Sequence, residues 1–326
     1  MRRRSAPVMF LVIGGAFAGS SVLAEVEQPL IVVLMHGKES ALPGRVEALV
    51  EGLRDRGYVK GKNYRMDVRW SDNQAERLPV LARELLAKKP HVAVASPVIS
   101  AQALQRESQT VPIVIASGAG AERVRLIKSL ARPGGNVTGL ENHLDALSAK
   151  QLELLNEIAP NAKRVMTLSS GLGAAEPDVR EGSRSAAKAY GMTLIEAFAE
   201  SQSQMARVSA VCEREKCEAL VVQLDPSVQS FRSEVIGLAA RLRIPAAYPT
   251  LEYADDGGLV AYSTELAPLF RRAAFYVDRI LKGSRPADLP VERPTRFQMV
   301  LNLQTAKALG IRIPPATLLR ADRVIE

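Results

Sequence analysis

The chain has 326 residues, 47% of them hydrophobic and 24% charged, and a formal net charge of +8. This is the profile of an ordinary globular protein, long enough for two domains with a core each. The basic balance does not make it a nucleic-acid binder: beyond residues 2–4 its charges are scattered, with no run and no interleaved aromatic platform, and read as a solvated surface.

The N-terminus has its own character. Arg2-Arg3-Arg4 is a positive start, Val8–Ala18 a short apolar run, and Val22-Leu23-Ala24 a small-residue cleavage site. A bilayer span needs ~20 apolar residues, so a secretory signal over residues 1–24 is preferred to an uncleaved anchor. The mature chain then begins at about Glu25. The adjacent arginines invite a twin-arginine reading, but Ser5-Ala6-Pro7 lacks the hydrophobic continuation, and the general export route is preferred. Without those three arginines the charge falls to +5.

From there the periodicity alternates. Leu30–Met35 is a continuous apolar run, as in a strand buried on both faces of a parallel sheet. Val46, Leu49, Val50 and Leu53 follow at helical spacing, stopped by Gly57. Tyr64–Trp70, His91–Ala95 and Pro112–Ala116 read as strands, with helices over Leu78–Leu86 and Ile99–Arg106 between them. Any helix through Leu126–Leu130 must stop at Pro133-Gly134-Gly135. A short extended piece then leads, as a crossover between lobes, to an amphipathic run from about Ser148.

The second half repeats the scheme. Strands are expected at Arg164–Leu168, Thr193–Ala197, Ala219–Leu224, Pro245–Ala247, Leu259–Tyr262 and Phe297–Leu301. Helices are expected at Val179–Tyr190, Met205–Cys212, Val228–Leu242 and Leu266–Leu281. Such alternation implies right-handed βαβ units and two doubly wound, Rossmann-like α/β lobes.

Ser129–Gly139 reads Ser-Leu-Ala-Arg-Pro-Gly-Gly-Asn-Val-Thr-Gly. This stretch resembles the signature of ABC transporter substrate-binding proteins with the type I periplasmic binding protein fold, the leucine/isoleucine/valine-binding type. Gly57–Asn63, Tyr276–Gly283, Pro286–Val291 and Asn302–Gly310 extend the resemblance over nearly the whole mature chain. It implies three crossings of a hinge, with residues 25–143 and 264–290 in one lobe and 144–263 and 291–326 in the other. It also implies a periplasmic, monomeric protein that delivers a small solute to an inner-membrane ABC permease, an aromatic or branched amino acid being the ligand class. Where related proteins carry Asp-Pro-Val, this chain has Gly120-Ala121-Glu122, and where they carry Asn-Pro it has Ser169-Ser170. Both departures lie in presumed ligand loops.

In open α/β sheets ligands sit outside the carboxyl ends of the strands. Those loops here are rich in hydroxyls and glycine and poor in charge. Ser96, Ser100 and Ser117 are candidates for holding a carboxylate together with helix N–H groups, or are ordinary helix caps. Asp225 is a candidate partner for an ammonium group, or a cap. Tyr248 and Tyr262 either pack on an apolar ligand side chain or belong to the core. His36 is a polar contact or a surface loop residue.

Cys212 and Cys217 lie close together, which in an exported protein favours a disulfide, with two buried free thiols as the alternative. His36, His91 and His143 show no metal-ligand spacing, and no dinucleotide, phosphate-loop, metalloprotease or nucleophile-elbow motif occurs. The expectation is therefore a solute-binding protein without cofactor or catalytic residue. The rivals are a ligand-sensing partner of a membrane receptor, which would share fold and cleft, and an exported α/β enzyme.

Overall fold

The computed structural model describes residues 28–173 and 176–326, so the expected signal peptide lies outside the described residues. The first sheet is built from β1 (Leu30–Met35), β2 (Arg65–Trp70), β3 (Val92–Ser96), β4 (Ile113–Ile115) and β5 (Val137–Gly139). They are arranged β2-β1-β3-β4-β5 and all run parallel. Helices α1 (Arg45–Arg54), α2 (Leu78–Ala87) and α3 (Val98–Glu107) make the crossovers. Strand β1 shows why the continuous apolar run is needed. Leu30, Val32 and Leu34 enter one core with α2 and α3, while Ile31, Val33 and Met35 enter a second core on the opposite face.

The chain then leaves this sheet. Gly139 sits where a Cβ would lie 2.1 Å from the Ile115 carbonyl oxygen, at φ +130°, so a side chain is excluded on both counts. The signature stretch is therefore a loop and last strand of the first sheet, and the crossing itself follows at Leu140–His143. That loop is pinned by a returning segment, through Val291 N–H to Leu130 O (2.7 Å) and Gly134 N–H to Ala287 O (3.3 Å).

The second unit comprises α4 (Leu144–Ile158), β6 (Arg164–Ser169), α5 (Glu176–Ala189), β7 (Thr193–Phe198), α6 (Met205–Arg214) and β8 (Ala219–Val222). It continues with α7 (Pro226–Gln229), α8 (Arg232–Leu242), β9 (Ala246–Tyr248), α9 (Leu251–Asp255) and β10 (Val260–Ser263). Helix α10 (Leu266–Leu281) then goes back to the first sheet, where Phe270, Ala273 and Val277 join the core of Ile31, Val33 and Val94. Its contact with α1 is close: a Cβ on Gly52 would lie 2.4 Å from the Arg271 carbonyl oxygen. Strand β11 (Gln298–Asn302), α11 (Leu303–Leu309), α12 (Pro315–Leu318) and β12 (Arg323–Ile325) complete the chain. The sheet order is β12-β11-β10-β9-β8-β6-β7, with β10 and β11 antiparallel and the remaining pairs parallel.

The crossings run side by side. Glu141 N–H donates to Glu292 O and Glu292 N–H to Gly139 O, at 2.9 and 3.0 Å. The buried Glu141 carboxylate accepts from Ala121 N–H (2.8 Å) and pairs with Arg293 (3.0 Å).

Several expectations are corrected. Residues 126–130 form no helix, because Arg125 turns into the left-handed region at φ +58°. The single helix expected over Val228–Leu242 is broken at Ser230-Phe231, where the short α7 ends and the buried Phe231 ring turns into the core. Helix α4 starts at Leu144, before Ser148. Cys212 and Cys217 are free thiols, not a disulfide. The main chain already closes their loop, with Cys217 N–H donating to Cys212 O at 2.9 Å. The Cys217 thiol is pushed up by hydrogen bonding to Cys212 and by burial. Among the described residues no helix is long and apolar enough to cross a membrane.

Candidate ligand site

The carboxyl ends of β1, β3 and β4 in one lobe face those of β6 and β8 in the other, and a cavity lies between them. It encloses about 80 Å³, several times what one water needs. Its walls are largely apolar, including Leu42, Val98, Ile99, Leu172, Leu224, Leu266 and Phe270. The polar groups come from few places: His36, Ser96, Ser117, Asn142, Ser170, Asp225, Gln229 and Arg45. Of the residues expected from sequence, His36, Ser96, Ser117 and Asp225 are brought together here.

His36 bridges the lobes. Its Nδ1 lies 2.7 Å from Ser71 Oγ, and its Nε2 lies 3.2 Å from Ser227 Oγ on α7. Burial pushes the imidazole pKa down, opposed by the charges of Asp225 and Glu76. The lobes also touch where Asn73 Nδ2 donates to Ser230 Oγ and where Arg123 pairs with Asp178. The cleft is closed.

Asp225 is the N-cap of α7, with Pro226 filling the first helical position. Its Oδ1 accepts from the N–H groups of Ser227 (2.8 Å) and Val228 (3.3 Å), and its Oδ2 from Ser170 N–H (2.8 Å). The carboxylate thus ties the loop after β6 to the start of α7.

The serines of the first lobe are occupied with one another. Ser96 Oγ donates to Ser117 O (3.0 Å), and Asn142 Nδ2 donates to Ser117 Oγ (2.9 Å). Ser100 does not line the cavity: it is fully buried one turn into α3 and donates to Ser96 O at 3.1 Å. Tyr248 and Tyr262 do not line it either. Strand alternation sends Tyr248 with Ala246 into the second lobe's core, where it stacks on Tyr253 with centroids 4.7 Å apart. Tyr262 stacks on Phe297 at 5.5 Å, away from the cleft.

Three lining residues escaped the sequence reading. Asn142 and Gln229 are 6% and 2% exposed, and Asn142 Oδ1 and Gln229 Nε2 have no hydrogen-bond partner. Arg45 is the first residue of α1 and only 7% exposed. Burial lowers its guanidinium pKa to about 10, opposed by Glu252. The one cue available was its position, since a helix N-terminus is an unfavourable place for a cation.

Comparison with known proteins agrees with this architecture. A family model described as ABC transporter substrate binding protein matches residues 31–325. The structure of an ABC domain in complex with L-Trp from Streptococcus pneumonia is similar, with a TM-score of 0.85 and 26% identity over 91% of this chain and 100% of that one. A conserved domain protein from Vibrio cholerae matches with a TM-score of 0.86 and 27% identity over 91% of this chain and 100% of that one. A tyrosine-binding protein of Clostridioides difficile is 24% identical over 267 residues, 82% of this chain and 76% of its own length. With its two doubly wound lobes of the type I periplasmic binding protein fold closed over one cavity, the chain belongs to the ABC transporter substrate-binding protein family, whose members capture a small solute for an ABC permease.

Proposed function

We propose that this protein is a monomeric periplasmic binding protein that captures an amino acid with an apolar or aromatic side chain and hands it, chemically unchanged, to a permease of the inner membrane. The observation that carries the reading is Asp225. A carboxylate offers about four lone-pair sites, and backbone N–H groups take three, leaving room on Oδ2 for an ammonium group. Around it the apolar walls of Leu172, Leu224, Val98 and Phe270 suit a hydrocarbon or aromatic side chain. Relatives named for L-Trp and tyrosine support the same class. The test is to strip the purified protein of bound solute, identify the released molecule by mass spectrometry, and titrate L-tryptophan, L-tyrosine, L-phenylalanine and L-leucine by calorimetry. Saturable binding of at least one, and an amine in the released molecule, are expected. A released solute without an amine, and no heat from any of the four, would overturn the reading.

A further inference from the structure

A ligand that enters a closed cavity must satisfy the polar groups the protein itself leaves unsatisfied. The cavity has three such places. Asn142 and Gln229 each have one unpartnered amide atom, and their other amide atoms meet hydroxyls, those of Ser117 and Thr250. A hydroxyl donates or accepts, so either amide can turn over and present whichever atom the ligand requires. Arg45 has no such freedom. Its guanidinium only donates, it is nine-tenths buried in the cavity wall, and it has no ion pair or hydrogen bond among the described residues. It also sits at the positive end of α1, whose N-cap is Gly44, a residue without a side chain to offer. Burial and helix end both disfavour the charge; Glu252 supports it from a distance, but no carboxylate pairs with it among the described residues.

The expected seat for a carboxylate near Ser96, Ser100 and Ser117 offers only uncharged donors, chiefly the N–H groups at the start of α3. The hydroxyl protons of Ser96 and Ser100 already go to the carbonyls of Ser117 and Ser96. We infer that Arg45 is the seat for an anionic group of the captured solute, a carboxylate in the case of an amino acid, and that it sets the preference of the cleft for anions over neutral analogues. This rests on the cavity being the solute site. A buried guanidinium paired with a carboxylate at two points is the strongest polar contact this cleft can offer. Arg45 belongs to the first lobe and Asp225 to the second, so a zwitterion bound to both holds the lobes together.

The experiment uses the solute-stripped mature protein and its Arg45→Gln and Arg45→Lys variants. Melting temperatures are taken first, without ligand. Arg45→Gln melts at or above the wild type, because a buried unpaired charge is lost. A clear fall would overturn the inference by showing that Arg45 is a structural group. Calorimetry then compares L-tryptophan with L-tryptophanamide, in which the carboxylate is neutral. In Arg45→Gln, L-tryptophan binds at least about thirtyfold more weakly, while the amide binds both proteins alike. Arg45→Lys, which keeps charge but not the fork, falls between them. Equal affinity of wild type and Arg45→Gln for L-tryptophan would overturn the inference and leave the amino-acid reading standing. If wild type ignores every amino acid, that reading fails alone. Arg45 is then judged by the melting comparison and by whether the solute co-purifying with wild type, and lost from Arg45→Gln, is an anion.

Discussion

Asp225 and Arg45 face the same cavity from opposite lobes, and both are charged and nearly buried. They differ in what surrounds them. Asp225 is fed by backbone N–H groups from two loops, so removing it undoes main-chain order whether or not a ligand is present. Arg45 has no hydrogen-bond or ion-pair partner among the described residues, and the distant charge of Glu252 offsets only part of what burial costs it. The lesson is that charge lining a cleft does not separate scaffold from recognition. Counting the partners shows which charge also serves the empty protein, because a buried group without one carries a desolvation cost left for a ligand to offset.

The largest expected effect breaks the Asp225 side of this pair. Asp225→Ala leaves three N–H groups without their acceptor, at Ser170, Ser227 and Val228. Each orphaned buried donor costs ~1–3 kcal/mol, and with water taking up part of the loss a total of about 3 kcal/mol is expected. A calorimetric scan of solute-stripped protein should show a clearly lowered melting temperature. Asp225→Asn keeps one oxygen for the cap of α7 and should recover about half of the loss. If Asp225→Ala melts like wild type while Arg45→Gln melts far below it, the contrast is reversed and the two roles have been exchanged.

How much of this was legible in the sequence follows from the same distinction. Buried parallel strands such as Leu30–Met35 and Ala219–Val222 announce themselves, because both faces are apolar and the run is unbroken. The α10 periodicity was equally plain. Strand β12 was not: it is one exposed and two half-buried residues at a sheet edge, Arg323-Val324-Ile325, with no pattern to detect. The break between α7 and α8 was hidden because Val228, Phe231, Val235 and Leu238 keep an apolar spacing through it. At the site, strand-end position found His36, Ser96, Ser117 and Asp225. It also proposed Tyr248 and Tyr262, because position says which end of a strand a residue occupies and not which face its ring takes. Arg45 was missed for a different reason, its place at a helix start being the one cue. Its burial comes from α10, from the facing Thr250–Glu252 segment and from closure of the lobes, none of which a local window contains.

An intermediate effect tests closure at His36, which is half-way between the two cases: it has partners, but one of them, Ser227, is in the other lobe. Burial in the closed cleft holds its pKa below 6.5, so the closed form binds fewer protons than the open one. The sign follows: closure is fully favourable above pH 6.5 and weakens as pH falls from there toward the depressed value. One proton coupled in this way changes affinity by at most about tenfold per pH unit, or about 1.4 kcal/mol. Solute affinity measured by calorimetry should be flat from pH 8 to 7 and decline below 6.5, and His36→Gln should flatten that decline. A decline that persists in His36→Gln would move the titration to another group.

The smallest effect concerns a second arginine that also faces the opposite lobe. Arg123, in the loop after β4, donates through Nε to Asp178 Oδ2 on α5 at 2.7 Å, with its second nitrogen on the other oxygen. The geometry is bidentate, and the pairing pushes the Asp178 carboxyl down. By geometry alone this pair looks better than anything Arg45 has. Both side chains, however, are more than two-fifths exposed. Water solvates each partner when the lobes separate, and salt screens them over a Debye length of ~8 Å at physiological strength. Arg123→Ala is therefore expected to change solute affinity by about twofold or less in 0.15 M salt, and somewhat more in 0.01 M salt. Arg45→Gln should show the reverse profile, a large loss that salt hardly alters. If Arg123→Ala costs as much as Arg45→Gln at physiological salt, then burial is not what makes an arginine count in this cleft, and the contrast between Asp225 and Arg45 loses its physical basis.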